Sequence, residues 1–330
     1  MASNNSVPDR PPFASLPLDP TGPPGNAWGL YGKDDALGSL NMLTPAVVAA
    51  AAKQEIRTGE RVSLDWVLTK PAHPSFGRPP FKWTRTVRTE ADGRPRCVND
   101  DHLDFNTQCS SQWDGFRHYG YAQAMRFYNN VTLEQLHDPS VIGIDVWVEK
   151  GGIVGRGVLL DYAGYCAAHN RPLAPMESTA ITLADLKAVV AEQGVALHKG
   201  DILFIRSGYT AAYEALAPAA QQALATRPAP DYLGVEPTAA MAQWIWESHW
   251  AVARRAVGGR NAGRRAAAPV AAGRVGGADR RAVRPGGAGG QVPGDGPLVL
   301  FREQRAAQGA RRRGQPAERH CDFLTQRVYF

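Results

Sequence analysis

The chain has 330 residues, of which 44% are hydrophobic and 21% charged, a composition typical of a globular protein with a large core. No apolar run is long enough to span a membrane, no signal-peptide pattern opens the sequence, and the four cysteines lack a C-x-x-C pair, which predicts a cytoplasmic protein without a disulfide framework. The net charge of +6 does not indicate a nucleic-acid partner, because the first 250 residues carry 21 basic and 26 acidic side chains.

Composition divides the chain into three segments. Residues 1–27 are rich in Pro, Gly, Asn and Ser and predict an extended N-terminal arm with little structure of its own. Residues 28–250 hold all 8 Trp residues and predict one packed domain. Residues 251–330 form a tail of mostly Arg, Gly and Ala that contains no Trp, Lys, Ile, Met or Ser.

In the first half, the pair Thr44–Pro45 predicts the start of an Ala-rich helix, because Thr suits the N-cap and Pro the first helical position. Alternating apolar residues predict a strand over 61–68. The Pro- and Arg-rich segment 70–96 predicts a long loop that covers a site, and residues 121–130 predict a helix.

The second half alternates strands with helices, which predicts an α/β domain with a mostly buried sheet. Thr182 is a suitable N-cap, Asp185 lies at the favoured start of the same helix, and Gly194 ends it. The other predicted elements are strands over 141–148, 153–160 and 201–207 and helices over 210–225 and 238–250. No Walker loop, G-x-G-x-x-G or G-x-S-x-G motif occurs in a suitable context, so we expect no nucleotide cofactor.

The segment 105–119, F-N-T-Q-C-S-S-Q-W-D-G-F-R-H-Y, is the strongest functional candidate. A pocket wall must hold an apolar substrate body and orient a polar bond, and this segment supplies side chains for both. We identify Asp114 and His118 as catalytic candidates, because i, i+4 spacing brings them to one face if the segment is helical. The candidate substrate-binding residues are Ser110, Ser111, Trp113, Phe116, Arg117 and Tyr119. The alternative is a structural Asp–Arg–His cluster beside aromatic rings that belong to the core.

The tail has the composition expected of a GC-rich gene translated in the wrong frame, since such codons read out of frame give Arg, Gly, Ala and Pro. Suitable codons for residues 274–322, shifted by one base, permit a translation that contains a helix, a turn and strands in order. Our hypothesis is that residues beyond about 251 are an out-of-frame, disordered product. A basic tail that binds nucleic acid or anionic surfaces is the alternative.

Five stretches resemble the cyclase family that contains kynurenine formamidases, particularly its larger fungal and bacterial branch. They are W-G-L-Y-G-K-D-D-A-L-G-S-L-N-M-L-T-P, T-G-E-R-V-S-L-D-W, N-T-Q-C-S-S-Q-W-D-G-F-R-H-Y, G-I-V-G-R-G-V-L-L-D-Y and K-G-D-I-L-F-I-R-S-G. The resemblance implies an α/β swivelling β/β/α fold, with a mixed sheet flanked by helices, in a homo-oligomer. It also implies hydrolysis of a small aromatic amide such as N-formylkynurenine with one or two divalent metals.

The metal motif of the family, H-x-G-T-H-x-D-x-P-x-H, differs from this chain at two positions. Its leading histidines fall on Gln108 and Gln112, and its aspartate and last histidine fall on Asp114 and His118. A carboxamide is a weak neutral ligand, whereas imidazole suits zinc and manganese. The further His and Glu ligands of the family fall in the tail, where only the shifted frame supplies a candidate Glu.

Three roles stay open for the segment. In the first, a zinc or manganese ion on Asp114, with Gln108 and Gln112 as weak partners, activates water for attack on an amide carbonyl. In the second, His118 is general base and acid, oriented by Asp114 without a metal, and amide, hydroxyl or backbone N–H groups activate the carbonyl. In the third, the domain binds a small molecule without hydrolysing it.

Overall fold

The computed structural model describes residues 7–228 and 232–253. Its strands are β1 (Lys82–Thr89), β2 (Pro95–Asp104), β3 (Gly157–Leu160), β4 (Ala180–Ile181), β5 (Ile202–Ile205), β6 (Gly234–Val235) and β7 (Val252–Ala253). Its α-helices are α1 (Pro45–Glu55), α2 (Asp145–Glu149), α3 (Tyr162–Ala168), α4 (Leu183–Glu192), α5 (Tyr209–Glu214), α6 (Pro218–Ala225) and α7 (Ala239–Glu247). This is the mixed α/β architecture that the sequence predicts. None of the helices in those two ranges has the length and apolarity needed to cross a bilayer.

A three-stranded parallel sheet with the order β3-β5-β7 forms the centre of the domain. Its strands come from short apolar runs and are largely buried, as parallel strands covered on both faces usually are. Leu160, Leu186, Leu203 and Trp250 belong to the core cluster that joins this sheet to the helices around it. β4 and β6 form a second, two-stranded parallel sheet, and β1 and β2 form an antiparallel hairpin.

Predicted capping residues begin two of the helices, and a third helix has a cap that was not predicted. Thr44 Oγ1 accepts a hydrogen bond from Val47 N at 3.4 Å before α1. Thr182 and Asp185 form a reciprocal capping box at α4, and Thr238 caps α7. Each cap satisfies a backbone N–H group that the helix itself leaves without a partner, so the predictions for Thr44 and Thr182 are confirmed.

Other predicted elements are shifted or wrong. Residues 61–68 are irregular rather than a strand, because an alternating pattern does not by itself supply a hydrogen-bonding neighbour. The predicted loop over 70–96 contains β1 and the start of β2. The predicted strand 153–160 shortens to β3, and the predicted helix 210–225 divides into α5 and α6, the second beginning at Pro218.

Two predictions on either side of the site segment are also wrong. Residues 121–130 are not an α-helix, since Asn129 and Asn130 adopt positive φ values of 51° and 64°, which an α-helix does not accommodate. Residues 141–148, predicted as a strand, lead into the short helix α2. The β-branched residues of this segment favour a strand, but the helix buries the Trp147 indole in the core. Tertiary packing here overrides the local preference for a strand.

The predicted arm packs against α7. Its described part, residues 7–27, contains one 3-10 turn, Phe13–Ser15, and otherwise has no regular element. Arg10 is buried, and its guanidinium donates to Trp250 O at 2.7 Å and to Trp246 O at 3.3 Å. Trp246 O also accepts from His249 N at 3.1 Å, so Arg10 adds a second donor there and supplies a donor to Trp250 O, just beyond the C-terminal end of α7.

The out-of-frame hypothesis concerns residues that lie almost entirely outside the described chain. The first residues of the tail, 251–253, are however part of the fold. Ala251 and Val252 are buried, and β7 pairs with β5 in a register that sets Val252 opposite Ile202. Residues 251–253 therefore belong to the packed domain, and the hypothesis applies only to residues after 253.

Candidate active site

The segment 105–119 follows β2 directly and is irregular rather than helical. Residues 109–114 are buried. Ser110 N donates to Lys70 O at 2.6 Å and Cys109 N to Asn106 O at 2.9 Å. Buried backbone outside helices and sheets needs such bonds, and these hold the segment in one conformation.

Asp114 and His118 are brought together by a turn instead of a helix face. His118 N donates to Gly115 O at 3.1 Å, and the turn places His118 Nε2 3.9 Å from Asp114 Oδ1. The Asp114 side chain is 6% exposed and the His118 side chain 27% exposed. A buried carboxylate thus lies next to an imidazole that solvent and a substrate can reach.

Gln108 also contacts the Asp114 carboxylate. Its Nε2 donates to Asp114 Oδ1 at 3.0 Å. Its own backbone N–H donates to Asn106 Oδ1 at 2.8 Å, which fixes the start of the segment. One oxygen of Asp114 therefore accepts a hydrogen bond from Gln108 and also faces the imidazole of His118.

Ser110 and Ser111 bind a neighbouring loop. Ser110 Oγ donates to Trp66 O, and Ser111 Oγ accepts from Trp66 N. Trp66 packs edge-on against Tyr209 and Tyr213 of α5, with ring centroids 6.4 Å and 5.5 Å apart. This aromatic cluster beside the site was not predicted, and the only sequence signal for it is the i, i+4 spacing of the two tyrosines.

The predicted substrate-binding aromatics divide between core and surface. Trp113 packs on Phe204 with centroids 6.4 Å apart, and Phe116 stacks on Tyr128 at 4.2 Å. Trp113 and Phe116 are part of one core cluster, which was the alternative interpretation. Tyr119 is 63% exposed, so it alone of these rings is open to a ligand without rearrangement of the core.

Two charged residues, one inside the segment and one after β3, make structural contacts. Arg117 donates from Nη1 to Pro139 O at 2.6 Å and from Nη2 to Leu136 O, so its guanidinium anchors a loop. Asp161, which follows β3, accepts from Arg206 Nη1 at 2.9 Å and caps α3. The guanidinium of Arg117 thus binds two backbone carbonyls, which is a structural role. Its predicted contact with a substrate stays a prediction.

Comparison with known proteins places these features in a family. The Cyclase family model, described as putative cyclase, matches residues 62–255, which is more than half of the chain. The chain belongs to this family. A crystal structure described as a novel cyclase is 28% identical, with a TM-score of 0.57, and the match covers 69% of this chain and 75% of that one.

Weaker likenesses extend beyond this cyclase structure. Isatin hydrolase A from Labrenzia aggregata, bound to benzyl benzoate, is 15% identical with a TM-score of 0.37, over 58% of this chain and 66% of its own. Isatin hydrolase A from Ralstonia solanacearum is 18% identical with a TM-score of 0.37, over 64% and 72%. These scores are too low to bear on fold or activity. No curated protein sequence gave a significant match.

The described residues of this cyclase-family member do not fit the metal centre that the resemblance implies. No group of three or more His, Cys, Asp and Glu side chains comes together within the described part of the chain. Where the family motif has a histidine, Gln108 directs an amide N–H at Asp114, whereas a ligand would present its carbonyl oxygen to the ion. The donor set of Asp114, Gln108 and Gln112 is thus a poor match for zinc or manganese.

Proposed function

We propose that this cyclase-family protein is a hydrolase that cleaves the C–N bond of a small aromatic amide. More specifically, we propose an arylformamidase-like activity, the conversion of N-formylkynurenine to kynurenine in tryptophan catabolism. The observation that carries the proposal is the buried Asp114 carboxylate 3.9 Å from the accessible imidazole of His118. Family membership supports it, and the resemblance of residues 105–119 to kynurenine formamidases favours an amide as the substrate.

His118 acts first as a general base and then as a general acid. Its Nε2 faces Asp114, so we assign proton transfer to Nδ1. Nδ1 takes a proton from water as the water oxygen attacks the amide carbonyl carbon. It then delivers the proton to the leaving nitrogen as the C–N bond breaks, which yields a carboxylic acid and an amine.

Asp114 stabilises the imidazolium that forms between these two proton transfers. Little water surrounds its side chain, so its charge is weakly screened and acts strongly on the adjacent ring. The hydrogen bond from Gln108 holds the carboxylate in place before a substrate arrives. Asp114 is therefore a positioning residue, and His118 is the residue that touches the reacting atoms.

The carbonyl oxygen gains negative charge during the attack and needs hydrogen-bond donors. The hydroxyl groups of Ser110 and Ser111 are engaged with Trp66, and the amide of Gln108 is engaged with Asp114. We therefore assign carbonyl activation to backbone N–H groups of the segment.

The experiment is a hydrolysis assay of the full 330-residue chain with N-formylkynurenine, followed by the absorbance of kynurenine. We expect His118→Ala to lower kcat roughly 10²- to 10⁴-fold, the usual contribution of a general acid–base. The matched control is His137→Ala, because His137 is exposed on a 3-10 turn outside the site. A wild-type protein without amidase activity, or equal loss in both variants, would contradict the proposal.

A binding protein without turnover is the second candidate. It is favoured by Gln108, which stands where the family motif has a metal-binding histidine and instead donates a hydrogen bond to Asp114. The two candidates differ in calorimetric titration with kynurenine. Binding that Asp114→Asn and His118→Ala both weaken, in a protein that hydrolyses no aromatic amide, would favour the binding protein.

A further inference from the structure

Ser110 has the left-handed backbone conformation that glycine usually adopts. Its φ is 55°, and the residue is buried. The Cβ atom of a residue other than glycine disfavours this conformation, so the surrounding structure must hold Ser110 in it. Residues held in this way cluster at active sites, and Ser110 belongs to the same buried run of residues as Asp114.

The stretch 66–72, which we call the strap, binds the backbone and side chain of this residue. Ser110 N donates to Lys70 O at 2.6 Å, and Ser110 Oγ donates to Trp66 O. The next residue, Ser111, accepts from Trp66 N through its Oγ. Two consecutive residues of the site segment are thus bonded to one short stretch of backbone, which fixes the orientation of the peptide group between them.

The strap is anchored on its other side by α5. The Trp66 indole packs edge-on against the buried ring of Tyr213, with centroids 5.5 Å apart, and its Nε1 donates to Glu214 Oε1 at 2.8 Å. The Tyr213 hydroxyl accepts from Ala72 N at 3.1 Å. The strap therefore connects α5 to the site segment, and Trp66 takes part in both sets of contacts.

We propose that the strap, with Trp66 as its main anchor, positions the backbone N–H groups that activate the substrate carbonyl. It does so by holding Ser110 in the left-handed conformation, which sets the direction of the chain that follows. This inference rests on the proposed function, in which those N–H groups stabilise the negative charge of the carbonyl oxygen. Trp66 is thus a positioning residue, and a displacement of about 1 Å at the reacting atoms can lower the rate roughly 10²-fold.

The first test is Trp66→Leu, which removes the bond to Glu214 and the ring contacts with α5. We expect kcat for N-formylkynurenine to fall roughly 10- to 100-fold. KM should change less than about threefold, because oriented N–H groups act mainly in the transition state. Hydrogen exchange at the amides of residues 109–112, measured by mass spectrometry, should become about tenfold faster or more.

The matched control is Trp244→Leu. Trp244 is also half-buried, but it lies in α7 and packs edge-on against Trp250, with centroids 6.0 Å apart. This variant loses a comparable aromatic contact and should leave exchange at residues 109–112 within about twofold of wild type. If Trp66→Leu does not fold, Tyr213→Phe replaces it, since this change keeps the ring and removes only the hydroxyl that binds Ala72 N.

The second test compares Ser110→Gly with Ser110→Ala. Both variants lose the hydroxyl that binds Trp66 O, but glycine adopts a positive φ without a steric penalty and alanine does not. We therefore expect Ser110→Gly to keep a kcat about threefold or more above that of Ser110→Ala. An alanine variant as active as the glycine variant would overturn the proposal.

Hydrogen exchange needs no substrate, which separates this proposal from the proposed function. A wild type without amidase activity would refute the proposed function, and exchange at residues 109–112 would then decide whether the strap holds the segment. Exchange in Trp66→Leu as slow as in Trp244→Leu would overturn the strap. With an active wild type, a folded Trp66→Leu protein whose kcat lies within about twofold of wild type would overturn its positioning role.

Discussion

Asp114→Asn removes the charge of the site carboxylate and keeps its shape. The carbonyl oxygen of asparagine still accepts a hydrogen bond from Gln108 Nε2, which lies 3.0 Å from the oxygen it replaces. We therefore expect residues 105–119 to keep their conformation. The change removes the attraction between a negative charge and the imidazolium that forms when His118 takes a proton.

The size of this effect follows from the geometry. Unit charges separated by the 3.9 Å between Asp114 Oδ1 and His118 Nε2 attract by about 4 kcal/mol at an effective dielectric constant of about 20. Water at the partly exposed imidazole reduces this to about 2–3 kcal/mol, so kcat is expected to fall roughly 30- to 150-fold. KM is expected to change less than about twofold, because the buried carboxylate acts through the imidazole and not on the bound substrate.

Steady-state kinetics of N-formylkynurenine hydrolysis measure both quantities. Asp34→Asn is the matched control, since Asp34 is exposed and distant in sequence from the site. Thermal unfolding of each variant shows whether the fold is retained. A folded Asp114→Asn protein with kcat within about twofold of wild type would refute the electrostatic role of Asp114.

Leu160→Ala, at a fully buried position of β3, is expected to lower the free energy of unfolding by about 2–5 kcal/mol in urea titrations. Thr182→Ala, which removes the cap of α4, is expected to cost about 1 kcal/mol in the same assay. Burial and then the charge of Lys199 hold the pKa of His249 below its ordinary value of 6.5. The folded state therefore binds a proton at His249 less readily than the unfolded state, so the free energy of unfolding should fall as the pH drops below 6.5. The fall should be less steep in His249→Asn. Equal slopes of the free energy of unfolding against pH in the two proteins would contradict this. Sequencing the gene across codons 245–330 tests the tail, since an intact, error-free frame would refute the shift.

Elements whose ends depend on nearby side chains were predictable. The helix α4 is capped by Thr182, has a capping box that spans the four residues Thr182 to Asp185, and is followed by Gly194, so the signals for both of its ends lie in a short window. Strands depend on distant partners. Residues 61–68 and 141–148 have strand-like patterns, but the pairing that would make them strands is absent from the described chain.

The site could be predicted only in part for the same reason. Asp114 and His118 were identified as a pair, yet a turn at Gly115 joins them and the helix-based argument was wrong. The contacts of Ser110 and Ser111 with the loop at residue 66 span 44 and 45 positions, and no local pattern indicates them. Burial of rings such as Trp113 likewise depends on residues far along the chain.

The contact between Arg10 and the end of α7 has a consequence for biosynthesis. Arg10 leaves the ribosome early, but the carbonyl oxygens that it binds belong to residues 236 and 240 positions later. The guanidinium must stay hydrated until that late segment emerges and folds. The contact between Arg10 and α7 therefore closes only after α7 has been made, so the segment around Arg10 is secured later than its place in the order of synthesis would suggest.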